Sequence, residues 1–177
     1  MMKQLTRYRY VFLTLLILLF LNLFFQELGA KALSITSFSL VEMLQVIPPV
    51  FIFLGLLDVW VPRDVMVKYM GDGSGLKGIL LAIFIGSAAA GPLYGAFPIA
   101  AVFMKKGVKL SNVLIFIGAW STTKIPMFLF EMASMGRTFA LTRLLVNLPG
   151  IIFIALILTK LLSKEEEKAL YEKAQTL

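Results

Sequence analysis

Residues 86–107 read GSAAAGPLYGAFPIAAVFMKKG, an apolar stretch that nevertheless carries four glycines and two prolines. In a helix interior Gly costs about 1 kcal/mol and Pro about 3 kcal/mol relative to Ala. A helix that only filled a membrane would not contain them, so the stretch is predicted to be a broken helix whose irregular backbone has a use. The rest of the chain supplies the setting: 59% of its 177 residues are hydrophobic and 15% are charged, where a soluble domain has about 25% charged. This is a membrane protein's composition, and with the apolar segments below it predicts an all-α integral membrane protein.

Composition also excludes much chemistry. With no Cys and no His, thiolate zinc sites, iron–sulfur clusters, disulfides and imidazole relays are ruled out, and no metal or cofactor is expected. The net charge of +7 does not point to nucleic acid, because Lys and Arg are dispersed between apolar segments rather than gathered with aromatics. They read as anchors at membrane flanks.

Five membrane segments are predicted, over residues 10–28, 40–61, 78–104, 110–134 and 139–162, forming one domain over 1–163 with a polar helical tail over 164–177. The first is close to the ~20 residues that cross a bilayer core; a cleaved signal peptide, with Ala30-Lys31-Ala32 as its cleavage motif, is the competing reading. The second contains Glu42, Gln45 and Pro48-Pro49, and the prolines predict a kink. Residues 62–77, with GDGSG from Gly71, read as a solvated connection and not a phosphate loop, because no strand precedes them. The fourth is interrupted by WSTTKIP, Trp120 to Pro126. The tail reads as the fifth helix continuing into water, with Lys168 and Glu172 one turn apart.

Five crossings would leave the termini on opposite sides. The N-terminal side would then hold Lys3, Arg7, Arg9, Arg63, Lys68, Lys77, Arg137 and Arg143, and the other side Lys31, Lys105, Lys106, Lys109, Lys160, Lys164, Lys168 and Lys173, eight against eight. An even tally gives the positive-inside rule nothing to act on, so the chain is expected to insert both ways. If both broken segments are instead re-entrant hairpins, the tally becomes eleven against five and the N-terminus is cytoplasmic. Full crossings are the expectation adopted.

Inside hydrocarbon, backbone without helical partners survives only where protein or water covers it. Discontinuous helices use such places to hold solutes near the membrane midplane. Gly91 and Pro92 would stop one half-helix, and Tyr94, Gly95 and Pro98 would shape the start of the next. Gly86, Ala89, Ala90, Gly91 and Gly95 also suit close helix packing, the competing reading. In the fourth segment Lys124 and Glu131 are intramembrane charges, which are functional candidates by default. They are two turns, roughly 10 Å, apart on a continuous helix, but Pro126 lies between. Lys124 is therefore expected to meet Glu42, a carboxylate of a second subunit or an anionic substrate. Ser121, Thr122 and Thr123 add hydroxyls where Pro126 frees a carbonyl. The predicted substrate pathway is Gly91, Pro92, Tyr94, Gly95, Pro98, Ser121, Thr122, Thr123, Lys124 and Pro126, with Glu42 and Glu131 as charge partners. A non-transporting scaffold is the alternative. An intramembrane enzyme built on Ser121 and Lys124 lacks a third, orienting group.

Val61-Pro62, the glycine run from Gly71 to Gly78, GPLYGAFPIAAVFMKKG from Gly91, AWSTTKIP from Ala119, Glu131 and MGRTFALTR from Met135 together resemble the YraQ/ArsP-like predicted permeases over roughly Leu40 to Leu162. The resemblance implies an inner-membrane permease in contact with lipid and a small solute or ion. Larger members of the group are about twice as long and contain two related halves, so this chain resembles one half of an inverted repeat. Half size and the even tally together predict an antiparallel homodimer. Some relatives are linked to efflux of organoarsenicals or metal ions. Here the only soft ligands are Met thioethers such as Met104 and Met127, and the nine methionines read as core filler.

Overall fold

The computed structural model describes residues 2–89 and 91–175. Ala90 of the small-residue run and residues 176 and 177 of the tail lie outside the described residues. The described chain is helical, with no strand among the described residues. Two compact units divide between Pro48 and Pro49, Met1–Pro48 and Pro49–Leu177. The division falls at the proline pair expected to weaken its helix.

In the first unit, α1 spans Met2–Phe24 and α2 begins at Gln26, running to Trp60. The first helix thus ends earlier than the predicted residue 28, and the predicted connection over 29–39 is helical. Its polar residues do not break the helix because their hydroxyls bond back one turn: Thr36 donates to the Ala32 carbonyl at 2.7 Å, and Ser37 donates to that of Leu33. The apolar side chains of α1, such as Leu16 and Phe24, are exposed, as lipid-facing residues are.

In the second unit the predicted connection after Pro62 contains a helix, α3 (Arg63–Met70). Val65, Met66, Tyr69 and Met70 recur at helical spacing, and Met66 and Met70 are buried. The third predicted segment is α4 (Gly75–Ala88), a 3-10 turn over Leu93–Gly95 and α5 (Ala96–Lys105). The fourth is α6 (Leu110–Thr122) and α7 (Ile125–Ser134). The fifth is α8 (Arg137–Leu161), and α9 covers Lys164–Gln175. The tail is a separate helix and not a continuation of α8. Ser163 and Glu166 form a capping box, in which the Glu166 carboxylate accepts from the Ser163 N–H at 2.8 Å and the Ser163 hydroxyl accepts from the Glu166 N–H at 3.2 Å. The exposed Lys168–Glu172 pair forms at 3.8 Å.

Segment three folds back on itself. A Cβ on Gly78 would meet Asn112, and one on Gly86 would meet the Phe116 carbonyl and the Trp120 N–H, so α4 and α6 run parallel. The chain between them therefore has to come back. It does so through α5, which ends in a Schellman turn with Gly107 at φ +78°: Gly107 N–H donates to the Met104 carbonyl and Val108 N–H to that of Phe103, both at 3.0 Å. The return brings Lys109 N–H to the Met70 carbonyl at 3.0 Å and the Asn112 amide to Met70 and Ser74 at 2.8 and 3.1 Å. At 14 residues, α4 is about 21 Å long, short of a ~30 Å hydrocarbon core.

Segment four is long enough to cross. Leu110–Ser134 and Arg137–Leu161 are each 25 residues and apolar enough to span a membrane, as is Gln26–Pro49. Beside α6, α8 runs antiparallel, with Gly118 against Ile151 and Arg143 at Thr122. The end of α8 thus returns to the α3 end of the unit, where Tyr171 of α9 donates to the Val108 carbonyl at 2.7 Å. Ten cations collect there: Arg63, Lys68, Lys77, Lys105, Lys106, Lys109, Lys160, Lys164, Lys168 and Lys173. Arg137, at the start of α8, marks the other end. The even tally assumed that segment three crosses, and its hairpin form removes that premise.

The core lies where α4, α5 and α8 pack on α6. Phe103 packs tilted on Phe116 and Phe116 edge-on to Trp120, with ring centroids 4.9 and 5.6 Å apart, and Ala82, Ala96 and Ala119 are fully buried.

Candidate functional site

The two helix interruptions meet. In the first, α4 stops at Ala88, Ala89 turns extended and Gly91 adopts φ +104°, a conformation that costs glycine little and other residues much. The 3-10 turn and Pro98, in the first turn of α5, restart the helix. In the second, Thr123 and Lys124 leave helical geometry between α6 and α7, and Pro126 follows in the first turn of α7.

Each interruption supplies what the other lacks. Lys124 Nζ donates to the Gly91 carbonyl, and the Trp120 indole N–H donates to the Pro92 carbonyl at 3.2 Å. The Ser87 and Thr123 hydroxyls bond each other at 2.8 Å. Pro126 has no N–H for the Thr122 carbonyl, which would be its helical acceptor; the Arg143 guanidinium takes that place and also forms an ion pair with Glu131. The Ser121 and Thr122 hydroxyls bond back to the Gly118 carbonyl at 2.9 and 2.8 Å, and Thr123 bonds back to Ala119 at 3.1 Å. Among the described residues, no buried side-chain polar atom is left without a partner.

The structure therefore brings Gly91, Pro92, Thr122, Thr123 and Lys124 into one cluster, to which Glu131 is joined through Arg143. Gly95 is buried and closes the 3-10 turn by donating to the Pro92 carbonyl at 3.1 Å. Tyr94, Ser121 and Pro126 are exposed at its edge, and Pro98 is half-buried. Glu42 is an exposed residue of α2 in the first unit. Three residues that sequence reasoning had not placed here belong to the cluster: Ser87, Trp120 and Arg143. Arg143 was legible in principle, because the carbonyl orphaned by Pro126 needed a donor. The packing reading of Gly86 also holds, since a Cβ there would lie 2.5 Å from the Phe116 carbonyl oxygen.

Behind the cluster a small cavity of about 10 Å³, lined in part by Thr122, Thr123, Glu131, Arg143 and Asn147, has the volume of about one water. The arrangement is a polar junction of the end of α4, the α6–α7 break and Arg143 of α8. The Lys124 ammonium sits on a carbonyl dipole at the point where the two interruptions meet.

No curated protein and no solved structure matches the chain. The family model ArsP_1, predicted permease, matches residues 29–177, and that stretch includes both interruptions and every residue of the cluster. The chain is a membrane protein that belongs to this predicted permease family.

Proposed function

We propose that the chain moves a small anionic or carboxyl-bearing solute across the cytoplasmic membrane, at the junction of its two interrupted helices. The observation that carries this reading is the Lys124 ammonium on the Gly91 carbonyl, a charge held at the meeting point of two breaks. A solute anion would take Lys124 from Gly91, and the freed carbonyl would loosen the first interruption, coupling binding to opening. Transport, and not covalent catalysis, is the role assigned to Ser121 and Lys124.

Two copies would make the working unit, since the chain resembles half of the larger permeases. The concentration of cations at the α3 and α9 end supports one fixed orientation with that end in the cytoplasm, and hence copies facing the same way rather than antiparallel. A reporter fused after residue 177 would then be active only as a cytoplasmic fusion. Activity on both sides would restore the antiparallel dimer.

The direct test is transport in proteoliposomes, with a panel of small carboxylates and oxyanions. Lys124→Met should lower the rate at least tenfold for each solute the parent protein carries. Unchanged rates for all of them would remove Lys124 from the pathway and favour the scaffold reading, which the tight α4–α6 seam at Gly86 also suits.

A further inference from the structure

An open groove of about 480 Å³ lies between α3, α4 and α5, and its wall is wholly apolar, including Val61, Val65, Tyr69, Leu81, Ile85 and Phe103. It begins at α3, in the cationic end of the unit, and reaches Ile85, about 15 Å along α4 from Gly75. At about 3.6 residues per turn, Val65, Met66, Tyr69 and Met70 share one face of α3. Arg63 falls about 20° beyond one edge of that face and Lys68 about 60° beyond the other, while Asp64 falls on the opposite side.

The cations are held near the groove. The Arg63 guanidinium stands beside Gly107, where a Cβ would lie 3.7 Å from its Nε. Lys68 Nζ sits 5.6 Å from the centroid of the Tyr69 ring, itself part of the wall. Lys106 Nζ donates to the Val61 carbonyl at 2.6 Å, which ties the mouth of the groove to the α5 turn. An apolar channel that runs into the membrane beneath a pair of cations matches a lipid with a negative headgroup: the acyl chain is buried and the phosphate is met from both sides.

We infer that this groove is a binding site for one anionic phospholipid, with its acyl chain along Leu81 and Ile85 and its phosphate between Arg63 and Lys68. The site is separate from the interrupted-helix junction and does not depend on which solute is carried.

The test uses the purified full chain in nanodiscs of equal parts phosphatidylglycerol and phosphatidylcholine, followed by detergent extraction and native mass spectrometry of retained lipid. The parent chain should keep phosphatidylglycerol over phosphatidylcholine by on the order of tenfold. Arg63→Gln with Lys68→Gln should bring that ratio close to one. Ile85→Trp, which fills the groove and leaves both cations, should reduce retained lipid of both kinds while circular dichroism shows unchanged helix content. The inference is overturned by equal retention of both lipids in the parent chain, by a preference that survives the double substitution, by a groove-filled variant that retains as much phosphatidylglycerol as the parent, or by lipid-free chains associating in pairs through this face.

Discussion

The side-chain nitrogen of Lys124 rests on the carbonyl oxygen of Gly91, so the cation exposed by one broken helix caps the break in the other. A free carbonyl or a lone ammonium in hydrocarbon would each be costly. Together they make a stable polar point, and this reciprocity accounts for a lysine inside an apolar segment.

Replacing Lys124 by Met should leave the Gly91 carbonyl short of its donor and destabilise the fold by about 1–3 kcal/mol. Unfolding in mixed micelles measures this. A variant as stable as the parent would mean that another group takes over the carbonyl.

Arg143 serves two acceptors, the Thr122 carbonyl and the Glu131 carboxylate. Arg143→Met should therefore cost about 3–5 kcal/mol, as removing one partner of a buried pair does. The double variant Arg143→Met with Glu131→Gln should recover part of that loss, and equal losses in single and double variants would argue against the pairing.

The seam between α4 and α6 has no room at Gly86. Gly86→Ala should destabilise by about 1–3 kcal/mol through overpacking. Gly150→Ala is the control: a Cβ there has nothing within 4 Å, so the substitution should be neutral or gain up to about 1 kcal/mol from helix propensity.

Tyr171 fastens α9 to the Val108 carbonyl. Burial, then the nearby carboxylates of Glu167 and Asp72, push its hydroxyl from 10.0 up to about 12. The neutral hydroxyl is the docked form, so its contribution is complete below pH 10 and is lost as pH rises through about 12. At the other end of the helix, the Ser163 N–H and hydroxyl hold the Glu166 carboxyl below its ordinary value of 4.5; that cap is present at neutral pH and is lost as pH falls through the lowered value. Hydrogen exchange of α9 should show both limits, and Tyr171→Phe should speed exchange in α9 while sparing α6.

Both interruptions were legible because Gly and Pro are costly inside an apolar helix and tend to break it, and WSTTKIP carries its proline just behind a run of hydroxyls. The return of α5 was not, since arms of such length fit a crossing or a hairpin equally well. What decides between them is tertiary: the Asn112 amide and the Lys109 N–H both end on the Met70 carbonyl. The helix α3 was hidden behind Pro62 and the glycines that follow it, although its Val65, Met66, Tyr69, Met70 spacing was in view. The separate tail helix was likewise written in Ser163 and Glu166, a capping box masked by the charge run beside it. Arg143 counted only as a flank cation: Pro126 shows that the Thr122 carbonyl needs a donor, but only the packing of α8 on α6 shows that the donor comes from the next helix.

The central claim is that the irregular backbone at the junction lies in a polar, water-reached pathway and not against lipid. The parent chain has no cysteine, so single substitutions Tyr94→Cys and Ser121→Cys can be labelled in intact membranes with a water-soluble, charged maleimide, beside Phe153→Cys on the exposed apolar face of α8. Rapid labelling is expected at the first two positions, slowed by a transported anion, and none at the third. Junction thiols as inert as that on α8 would contradict the claim.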